Sequence, residues 1–481
     1  MIPFDKHKFD FTMEEIRETA SKRGLLTIEI EFNRTCNYRC PYCYAAGGVT
    51  NIFLDSAKAD EVIRQANALG ARKIVILGGE PMLYPELKEK IKLITSLGMV
   101  AEIFTNAALM TKEWAEFFHE YGCRIVVKLN TLNPQIQEEL TGVKGALDKA
   151  LNAIALLKEA GFDSNTLVAS SVICSANEKE VVDLWKYLRR NGIKPYLEIL
   201  TPQGRLLENR QLEVEPARLK EIFEEIATFD REQGYDWEPQ PPLVGSKCMR
   251  HQFSAVVGAN GNVIPCVGLT VKIGNVYEQD LATIVQTSVV LQKLRDFRST
   301  IKGPCKTCEK AESCYGCRGA AYQLTGDYLA SDPLCWHNSE LLRQKPPVPC
   351  DAQQWVPHRP PMTMVDRLIE FAEWCVVESE IKPDNRFLNG AGILDNEALP
   401  EIVAQACAVI TGFEKNDHDL GGMLTGVRSI RFLEPVRSGD LLHICIRESG
   451  QIDNYHTLDF KVKRASDDTV CATGELSICE L

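Results

Sequence analysis

The chain has 481 residues, 45% of them hydrophobic and 25% charged, which is ordinary for a globular protein and enough for two or three domains. Its formal charge of −12 argues against nucleic acid as a main partner, and no apolar run reaches membrane-spanning length. The first residues lack the apolar core of a secretory signal, so we expect a cytoplasmic protein whose 18 cysteines stay reduced.

The first segment alternates strand-like and helix-like patterns. Strands are predicted at Thr27–Phe32, Lys73–Gly79, Val100–Asn106, Arg124–Asn130, Leu167–Cys174 and Lys194–Leu200. Helices are predicted between them at Ser56–Leu69, Pro85–Leu97, Lys112–Tyr121, Ala146–Ala160 and Glu178–Asn191. Six βα repeats predict a parallel sheet that closes fully or partly into a barrel. Ligands of such folds collect at the carboxyl ends of the strands.

The remaining chain divides into two further parts around a proline-rich stretch. Residues 236–344 are rich in cysteine and poor in regular periodicity, so metal is expected to order them. Residues 345–354 resemble a semi-stiff linker. The last part, 355–481, has a helix pattern at Glu397–Thr411 and strand patterns at Leu441–Glu448 and His456–Arg464. These patterns predict an α+β domain after a barrel domain at 1–235.

Ten of the cysteines form a spaced series. Cys36, Cys40 and Cys43 make a C-x3-C-x2-C triplet just past the first strand. Such thiolates can hold one iron–sulfur cluster, and three of them leave one iron of a four-iron cluster without a protein ligand. Zinc normally takes four ligands, and no fourth lies nearby. The other seven of the series are Cys248, Cys266, Cys305, Cys308, Cys314, Cys317 and Cys335. Core packing is expected for Cys123, Cys174, Cys375, Cys407, Cys445, Cys471 and Cys479.

The triplet, with Tyr44 after it, resembles that of the radical SAM superfamily. Gly78-Gly79-Glu80-Pro81, at the end of the second strand, is similar to the superfamily's GGEP motif. The resemblance implies a 4Fe-4S cluster on the triplet and a GGEP turn that binds the amino group of S-adenosylmethionine. One electron then cleaves S-adenosylmethionine to a 5′-deoxyadenosyl radical, which removes a hydrogen atom from the substrate.

Other polar residues at strand ends have two interpretations. By the same resemblance, Thr105, Asn106, Ser170 and Ser171 contact the ribose and carboxylate of the cofactor. They are equally well explained as satisfied polar residues near strand ends. Arg205, after the sixth strand, either pairs with a carboxylate or is a solvated loop charge.

The seven downstream cysteines resemble a SPASM domain, with x2 where the family commonly has x3 before Cys317. The resemblance implies one auxiliary 4Fe-4S cluster on Cys305, Cys308, Cys314 and Cys335, and a second on Cys248, Cys266 and Cys317. The chain would then hold three clusters. The second auxiliary cluster is one ligand short, so it is either open for substrate or completed by another group such as His251. The favoured interpretation of His251 itself is a surface or capping residue.

Residues 355–481 resemble the hot-dog fold 3-hydroxyacyl-carrier-protein dehydratases. The resemblance depends on Pro357-His358-Arg359, Val365-Asp366-Arg367, Glu401–Gln405 and the run from Arg431 to Asp440. The family's catalytic histidine, in a G-H-F-P turn, is missing from Phe387–Gly392, and His418 lies on the wrong side of Glu401 to replace it. Dehydration needs both an acid and a base. We therefore predict that this domain docks a carrier protein or mediates dimerisation, and that it is not a standard dehydratase.

The leading functional prediction is a radical SAM/SPASM enzyme that acts on an acyl or aminoacyl group held by a carrier protein. Peptide modification is the runner-up, and oxidation or epimerisation of a sugar or cyclitol is the third. A non-enzymatic acyl-binding scaffold is the alternative from another class. Expected partners are an acyl or peptidyl carrier protein or a small peptide, a flavodoxin- or ferredoxin-type reductant, and a second copy through the C-terminal domain.

Overall fold

The computed structural model describes residues 5–46, 51–338, 348–358, 361–415, 422–452 and 454–480. The chain forms two compact units, Met1–Leu341 and Leu342–Leu481. The residues predicted as barrel and as cysteine-rich domain therefore belong to one unit. No helix in the described part of the chain is long and apolar enough to cross a membrane.

The first unit is built on a nine-stranded sheet. Its strands are β1 Thr27–Glu31, β2 Lys73–Leu77, β3 Val100–Thr105, β4 Arg124–Lys128, β5 Leu167–Ile173, β6 Lys194–Ile199, β7 Val256–Val257, β8 Asn262–Ile264 and β9 Gly274–Asn275. They lie in the order β6-β5-β4-β3-β2-β1-β7-β8-β9, and all pairs from β6 to β7 are parallel. The predicted (β/α)6 core is confirmed.

Helices cover this sheet and extend beyond it. They are Lys6–Phe9, Met13–Ser21, Ser56–Ala68, Leu87–Ser96, Lys112–Glu120, Pro134–Thr141, Ala146–Glu159, Val181–Arg190, Pro216–Glu232, Leu281–Thr287, Val289–Arg295, Phe297–Thr300, Pro304–Thr307 and Arg318–Thr325. Short 3-10 helices lie at Pro81–Leu83, Gly204–Glu208, Arg210–Leu212 and Arg250–Gln252. Two of the longer helices, Pro134–Thr141 and Pro216–Glu232, were not predicted, although each begins with the proline that favours a first turn.

The cysteine-rich part shares the barrel's core. Strand β7 continues the sheet beside β1, and Val257, Val263 and Leu281 are buried in the same hydrophobic cluster as Ile28 and Ile76. Apolar packing against the barrel therefore orders residues 255–285. From the sequence, metal was expected to order this part because its own apolar content looked thin; the apolar residues that it packs against lie more than 150 residues away along the chain.

The second unit is a seven-stranded antiparallel sheet around one helix. Its strands are β10 Cys350–Asp351, β11 Arg367–Glu370, β12 Cys375–Glu380, β13 Gly422–Phe432, β14 Leu441–Ile452, β15 Tyr455–Arg464 and β16 Val470–Glu480, in the order β10-β11-β12-β14-β15-β16-β13. The buried face of the helix Ala398–Lys415 forms the core with the sheet, and a 3-10 helix lies at Gln353–Trp355. This is the predicted α+β hot-dog architecture.

The predicted linker at 345–354 is only partly a linker. Cys350 and Asp351 pair with β11, and Ala352 is buried in the core of the second unit. The second unit therefore already includes residue 350. The sequence prediction missed the short strand at Cys350–Asp351 because prolines precede it. Residues 345–347 lie outside the described part of the chain, as does His418.

Candidate active site

A cavity of about 280 Å³ opens at the carboxyl ends of the barrel strands. Its lining comes from the cysteine loop after β1, the glycine turn after β2, the ends of β3 to β6 and four stretches of the cysteine-rich part. Of the predicted site residues, those at the cavity wall are Cys36, Cys40, Cys43, Gly78, Gly79, Glu80, Thr105, Asn106, Ser170, Cys248, Cys266 and Cys317. The parallel topology explains this convergence, since strand ends share one edge of the sheet.

The glycine turn packs against the chain that leads into the triplet. The backbone N–H of Gly79 donates to the Asn33 carbonyl, and that of Glu80 donates to the Thr35 carbonyl, both at 2.8 Å. A Cβ on Gly79 would lie 2.1 Å from the Thr35 oxygen, and Gly78 has φ +131°. Only glycine allows this approach. The two glycines therefore fix the start of the cysteine loop, a role that the sequence prediction had given to contact with a ligand.

Glu80 presents a buried carboxylate to the cavity, with only 1% of its surface exposed. Its Oε1 accepts hydrogen bonds from the Thr105 hydroxyl at 2.6 Å and the Met82 N–H at 3.1 Å, and its Oε2 accepts from the Asn106 N–H at 2.8 Å. Among the described residues, no cation forms an ion pair with it. Burial raises the pKa of Glu80 despite the three donors. The arrangement suits a carboxylate that receives a positively charged group.

The remaining predicted cofactor contacts have mixed positions. Asn106 donates to the Asn37 side chain at 2.7 Å and lies 3.8 Å from the Cys36 sulfur, so it links the turn to the triplet. Ser170 lines the cavity, whereas Ser171 does not, and the Ser171 hydroxyl donates to the backbone carbonyls of Asn130 and Val172.

Pro81 and Arg205 have supporting positions. Pro81 begins the short helix that Glu80 caps. Arg205 is not at the cavity wall; its guanidinium donates to the Cys40 carbonyl at 3.4 Å and its N–H to the Cys43 carbonyl at 3.2 Å. Arg205 therefore stabilises the triplet loop through its backbone carbonyls and does not line the cavity.

The ten cysteines lie in three groups. Burial raises the pKa of Cys40 to about 12, and the neighbouring Cys43 and Cys36 thiols add to the increase. Burial raises the pKa of Cys317 in the same way, and Cys248 and Cys266 lie beside it. No three potential ligands in the described residues converge on one metal ion. In the third group, burial raises the pKa of the thiols of Cys314 and Cys335, with Cys305 and Cys308 close by.

Polar groups support the third group and join it to Cys317. The buried Asp332 accepts from the Cys317 N–H at 2.7 Å, and its own N–H points at the Cys305 sulfur at 3.5 Å. The Asn338 amide donates to the Cys305 sulfur at 3.0 Å, and the Gly316 N–H to the Cys314 sulfur at 3.3 Å. N–H groups aimed at sulfur stabilise thiolates and tune the potential of a cluster they hold.

His251 is buried, with 2% of its surface exposed, and lines the cavity. Neither ring nitrogen has a hydrogen-bond partner among the described residues. Burial and the neighbouring Arg250 and Arg318 charges lower the pKa of His251 to about 3, so its ring is neutral. The prediction of a surface or capping residue was wrong, because the aromatic ring that covers it, Tyr315, lies 64 residues away at a centroid distance of 5.4 Å.

Charged side chains inside the barrel were missed by the sequence prediction. Lys128 and Glu198 line the cavity, and burial lowers the pKa of Lys128. Arg250 also lines it and donates to Glu29 at 3.2 Å. The signal was present, since Lys128, Glu198 and Glu29 interrupt otherwise apolar strand patterns. These groups offer acid–base or substrate-binding chemistry inside the barrel.

The second unit has its own acid–base pair. His358 Nε2 lies 3.4 Å from Glu401 Oε1, which also accepts from the Gln405 amide at 2.9 Å. Gln405 is fixed in turn by the Met364 N–H at 2.8 Å. The G-H-F-P histidine is absent as predicted from the sequence, but the histidine of the Pro357-His358 motif lies beside the glutamate.

Three family models match successive parts of the chain. Residues 30–188 match the radical SAM superfamily, residues 248–309 the SPASM iron-sulfur cluster-binding domain, and residues 350–481 the ApeP dehydratase. The chain thus carries radical SAM and SPASM domains and a C-terminal dehydratase-like domain.

Curated relatives of the chain include two AdoMet-dependent heme synthases. That of Methanosarcina barkeri is 27% identical over 335 residues, 63% of this chain and 94% of the relative. That of Nitratidesulfovibrio vulgaris is 25% identical over 341 residues, 63% and 90%. The chain thus covers nearly the whole length of each relative, and the match uses about two thirds of the chain.

Solved structures with the same fold include two peptide complexes. Streptococcus suis SuiB bound to precursor peptide SuiA has a TM-score of 0.53 at 18% identity, covering 67% of this chain and 79% of that one. The structure of anSMEcpe with bound AdoMet and a Cp18Cys peptide has a TM-score of 0.54 at 18% identity, covering 66% and 96%. At this identity the likeness is one of fold.

Proposed function

We propose that the barrel cavity binds a 4Fe-4S cluster on Cys36, Cys40 and Cys43, with S-adenosylmethionine beside it. The observation that carries this proposal is Glu80, a buried carboxylate with three donors and no cationic partner among the described residues. An ammonium group is the complement it lacks, and a charge-assisted hydrogen bond is about twice as strong as a neutral one. When bound together, the cluster and S-adenosylmethionine supply a carbon radical that removes a hydrogen atom from substrate.

In this proposal the chain's own residues bind and orient the cluster and S-adenosylmethionine. Gly78 and Gly79 hold the cysteine loop close to Glu80, so the cluster ligands and the carboxylate keep a fixed separation. The Thr105 hydroxyl and the Asn106 N–H aim the two oxygens of Glu80. Many residues of the cavity wall are buried, and such low-dielectric surroundings strengthen these electrostatic contacts. Lys128, whose amine faces the cavity, is our candidate for binding or protonating the substrate.

We assign the downstream cysteines to two auxiliary 4Fe-4S clusters, one on Cys305, Cys308, Cys314 and Cys335 and one that includes Cys248, Cys266 and Cys317. Their burial and the N–H groups aimed at their sulfurs support this assignment. Such clusters favour oxidation of the substrate, because they can take up the second electron.

The substrate proposed first is an acyl or aminoacyl thioester on a carrier protein. The heme synthases match 63% of the chain, and residues 350–481 match the ApeP dehydratase model, so we take this C-terminal domain as the part that indicates the substrate. A domain that docks the carrier would raise the effective concentration of the tethered substrate. The His358–Glu401 pair adds a possible site for a thioester-linked acyl chain.

A second candidate is a heme precursor, since the curated sequence relatives are heme synthases. The two candidates differ in one measurement. Reconstituted protein is supplied with S-adenosylmethionine and either acyl-loaded carrier protein or a heme precursor, and substrate masses are compared. A loss of about two mass units from the acyl group supports carrier-bound oxidation, whereas change in the heme precursor alone refutes it.

We propose a homodimer through the edge strand β13. Met423, Val427, Phe432 and Leu433 are large hydrophobic side chains exposed on or next to this strand, which is paired on one side only. An exposed edge strand with apolar side chains is a ready template for pairing with another chain. Val427→Lys should yield a monomer in analytical ultracentrifugation, and a wild-type protein that is already monomeric would contradict the dimer.

We further propose that an acidic flavodoxin- or ferredoxin-type reductant binds a basic groove of about 780 Å³ in the first unit. Arg295 is partly buried in it, with two guanidinium nitrogens that lack partners among the described residues, and Arg17 and Lys293 flank it. The groove's floor, Met249 and Phe297, packs in one hydrophobic cluster with Cys305. A negatively charged electron carrier would therefore dock one side chain away from a cluster ligand.

Charge reversal separates docking from chemistry. Arg17→Glu with Lys293→Glu should abolish turnover with reduced flavodoxin but leave turnover with dithionite unchanged, because dithionite needs no docking site. Lys220→Glu, on the exposed face of Pro216–Glu232, is the matched control. Equal flavodoxin-driven rates in the double variant and the control would contradict this docking site.

A further inference from the structure

The unpaired imidazole of His251 needs a physical explanation. A buried polar atom without a partner destabilises the fold, and native structures contain few of them. His251 has two such atoms, Nδ1 and Nε2, in a side chain that is 2% exposed. Its ring is held in place by packing against Tyr315, at a centroid distance of 5.4 Å and an interplanar angle of 49°. A fixed, neutral imidazole of this kind has a lone pair ready for a ligand.

The surroundings of His251 identify the ligand class. It lines the same cavity as Cys248, Cys266 and Cys317, the set that lacks a fourth member. Cys248 and His251 are separated by two residues, as Cys305 and Cys308 are, and Cys314 and Cys317. The 3-10 helix Arg250–Gln252 makes the chain turn tightly after Cys248. Spacing, burial and missing hydrogen bonds therefore point to the same group.

We propose that His251 is the fourth protein ligand of the auxiliary cluster held by Cys248, Cys266 and Cys317. This inference rests on the proposed function, which supplies the cluster, and deepens it by closing the site. Imidazole in place of thiolate removes one negative charge from the ligand set and raises the reduction potential. The cationic side chains of Arg250 and Arg318, also at the cavity wall, act in the same direction. The closed cluster is then suited to take an electron and does not offer an iron to substrate.

Pulsed electron paramagnetic resonance on the holoprotein tests the assignment. The protein is produced with 14N- or 15N-histidine, reconstituted with iron and sulfide, and reduced without S-adenosylmethionine. We expect a strongly coupled nitrogen that changes with the isotope. The coupling should vanish in His251→Cys, with unchanged iron content and a lowered potential, and persist in His337→Gln, which alters a histidine near the other auxiliary cluster.

Several outcomes would overturn the assignment. They are a wild-type spectrum without an isotope-sensitive, strongly coupled nitrogen, or a coupling that survives in His251→Cys or disappears in His337→Gln. A weak coupling alone would mean that His251 only donates a hydrogen bond to the cluster. If the variants fail to fold, the labelled wild-type spectra still decide. Formation of 5′-deoxyadenosine is measured separately, so its absence counts against the proposed function and not against the ligand.

Discussion

Replacement of Gly79 by alanine tests whether the glycine turn holds the triplet loop in position. The added Cβ would lie 2.1 Å from the Thr35 carbonyl oxygen, whereas real Cβ contacts essentially never fall below 3.0 Å. The loop must therefore retreat by at least 3.0 − 2.1 = 0.9 Å, which breaks the 2.8 Å hydrogen bond from the Glu80 N–H to Thr35. Overpacking costs about 1–3 kcal/mol and an unmade buried N–H bond about as much, so we expect a loss of about 2–6 kcal/mol.

Two readings of the Gly79→Ala protein check this estimate. Denaturant unfolding followed by circular dichroism should give the lower stability, and the reconstituted protein should lose about four irons per chain while the auxiliary clusters remain. Gly390→Ala is the control, because nothing lies within 4 Å of its Cβ, and its stability should change by about 1 kcal/mol at most. Wild-type stability and iron content in Gly79→Ala would refute the reasoning.

Three further predictions concern the barrel. Glu80→Gln should weaken S-adenosylmethionine binding about 10- to 100-fold in anaerobic calorimetry, since a charge-assisted pair is lost. Burial raises the pKa of Glu80, so the affinity of the wild type for S-adenosylmethionine should fall as the pH drops toward that pKa. The stability of the ligand-free protein should show the opposite trend and fall as the pH rises through the pKa of Glu80. A pH-independent affinity would contradict this role. Lys128→Met should keep 5′-deoxyadenosine formation but lower substrate conversion about tenfold or more, and equal losses of both would mean a structural role. The buried carboxylate of Asp230 accepts hydrogen bonds from the Trp185 indole at 2.7 Å and the Arg189 guanidinium at 2.8 Å. Asp230→Ala should therefore lower the free energy of unfolding by about 3–5 kcal/mol. Asp236 is exposed, so Asp236→Ala should leave the free energy of unfolding nearly unchanged.

The sequence predicted the core of the fold well, for a local reason. Each βα repeat carries its own apolar strand and amphipathic helix, so the six strands could be placed within two residues of their observed ends. The positions of the cysteine triplet and Glu80 were also predictable, because these residues come soon after β1 and β2 in the sequence. Their convergence in one cavity follows from parallel topology alone.

What the sequence did not predict depends on distant contacts. The burial of His251 requires Tyr315, and the shared core of the cysteine-rich part requires pairing of β7 with β1. The contact of Arg205 with the Cys40 carbonyl was not predicted either. The local sequence does not distinguish a loop arginine that contacts the backbone from one that binds a ligand. The charges of the barrel interior were detectable, since Lys128 interrupts a buried strand.

The most direct measurement of the proposed chemistry is reductive cleavage of S-adenosylmethionine. Anaerobically reconstituted protein is reduced with dithionite, supplied with S-adenosylmethionine, and assayed for 5′-deoxyadenosine and methionine by mass spectrometry. We predict both products from the wild type and neither from a variant with Cys36, Cys40 and Cys43 replaced by alanine. Iron-loaded wild-type protein that forms no 5′-deoxyadenosine, with or without acyl-loaded carrier protein, would contradict the assignment of the cavity to radical chemistry.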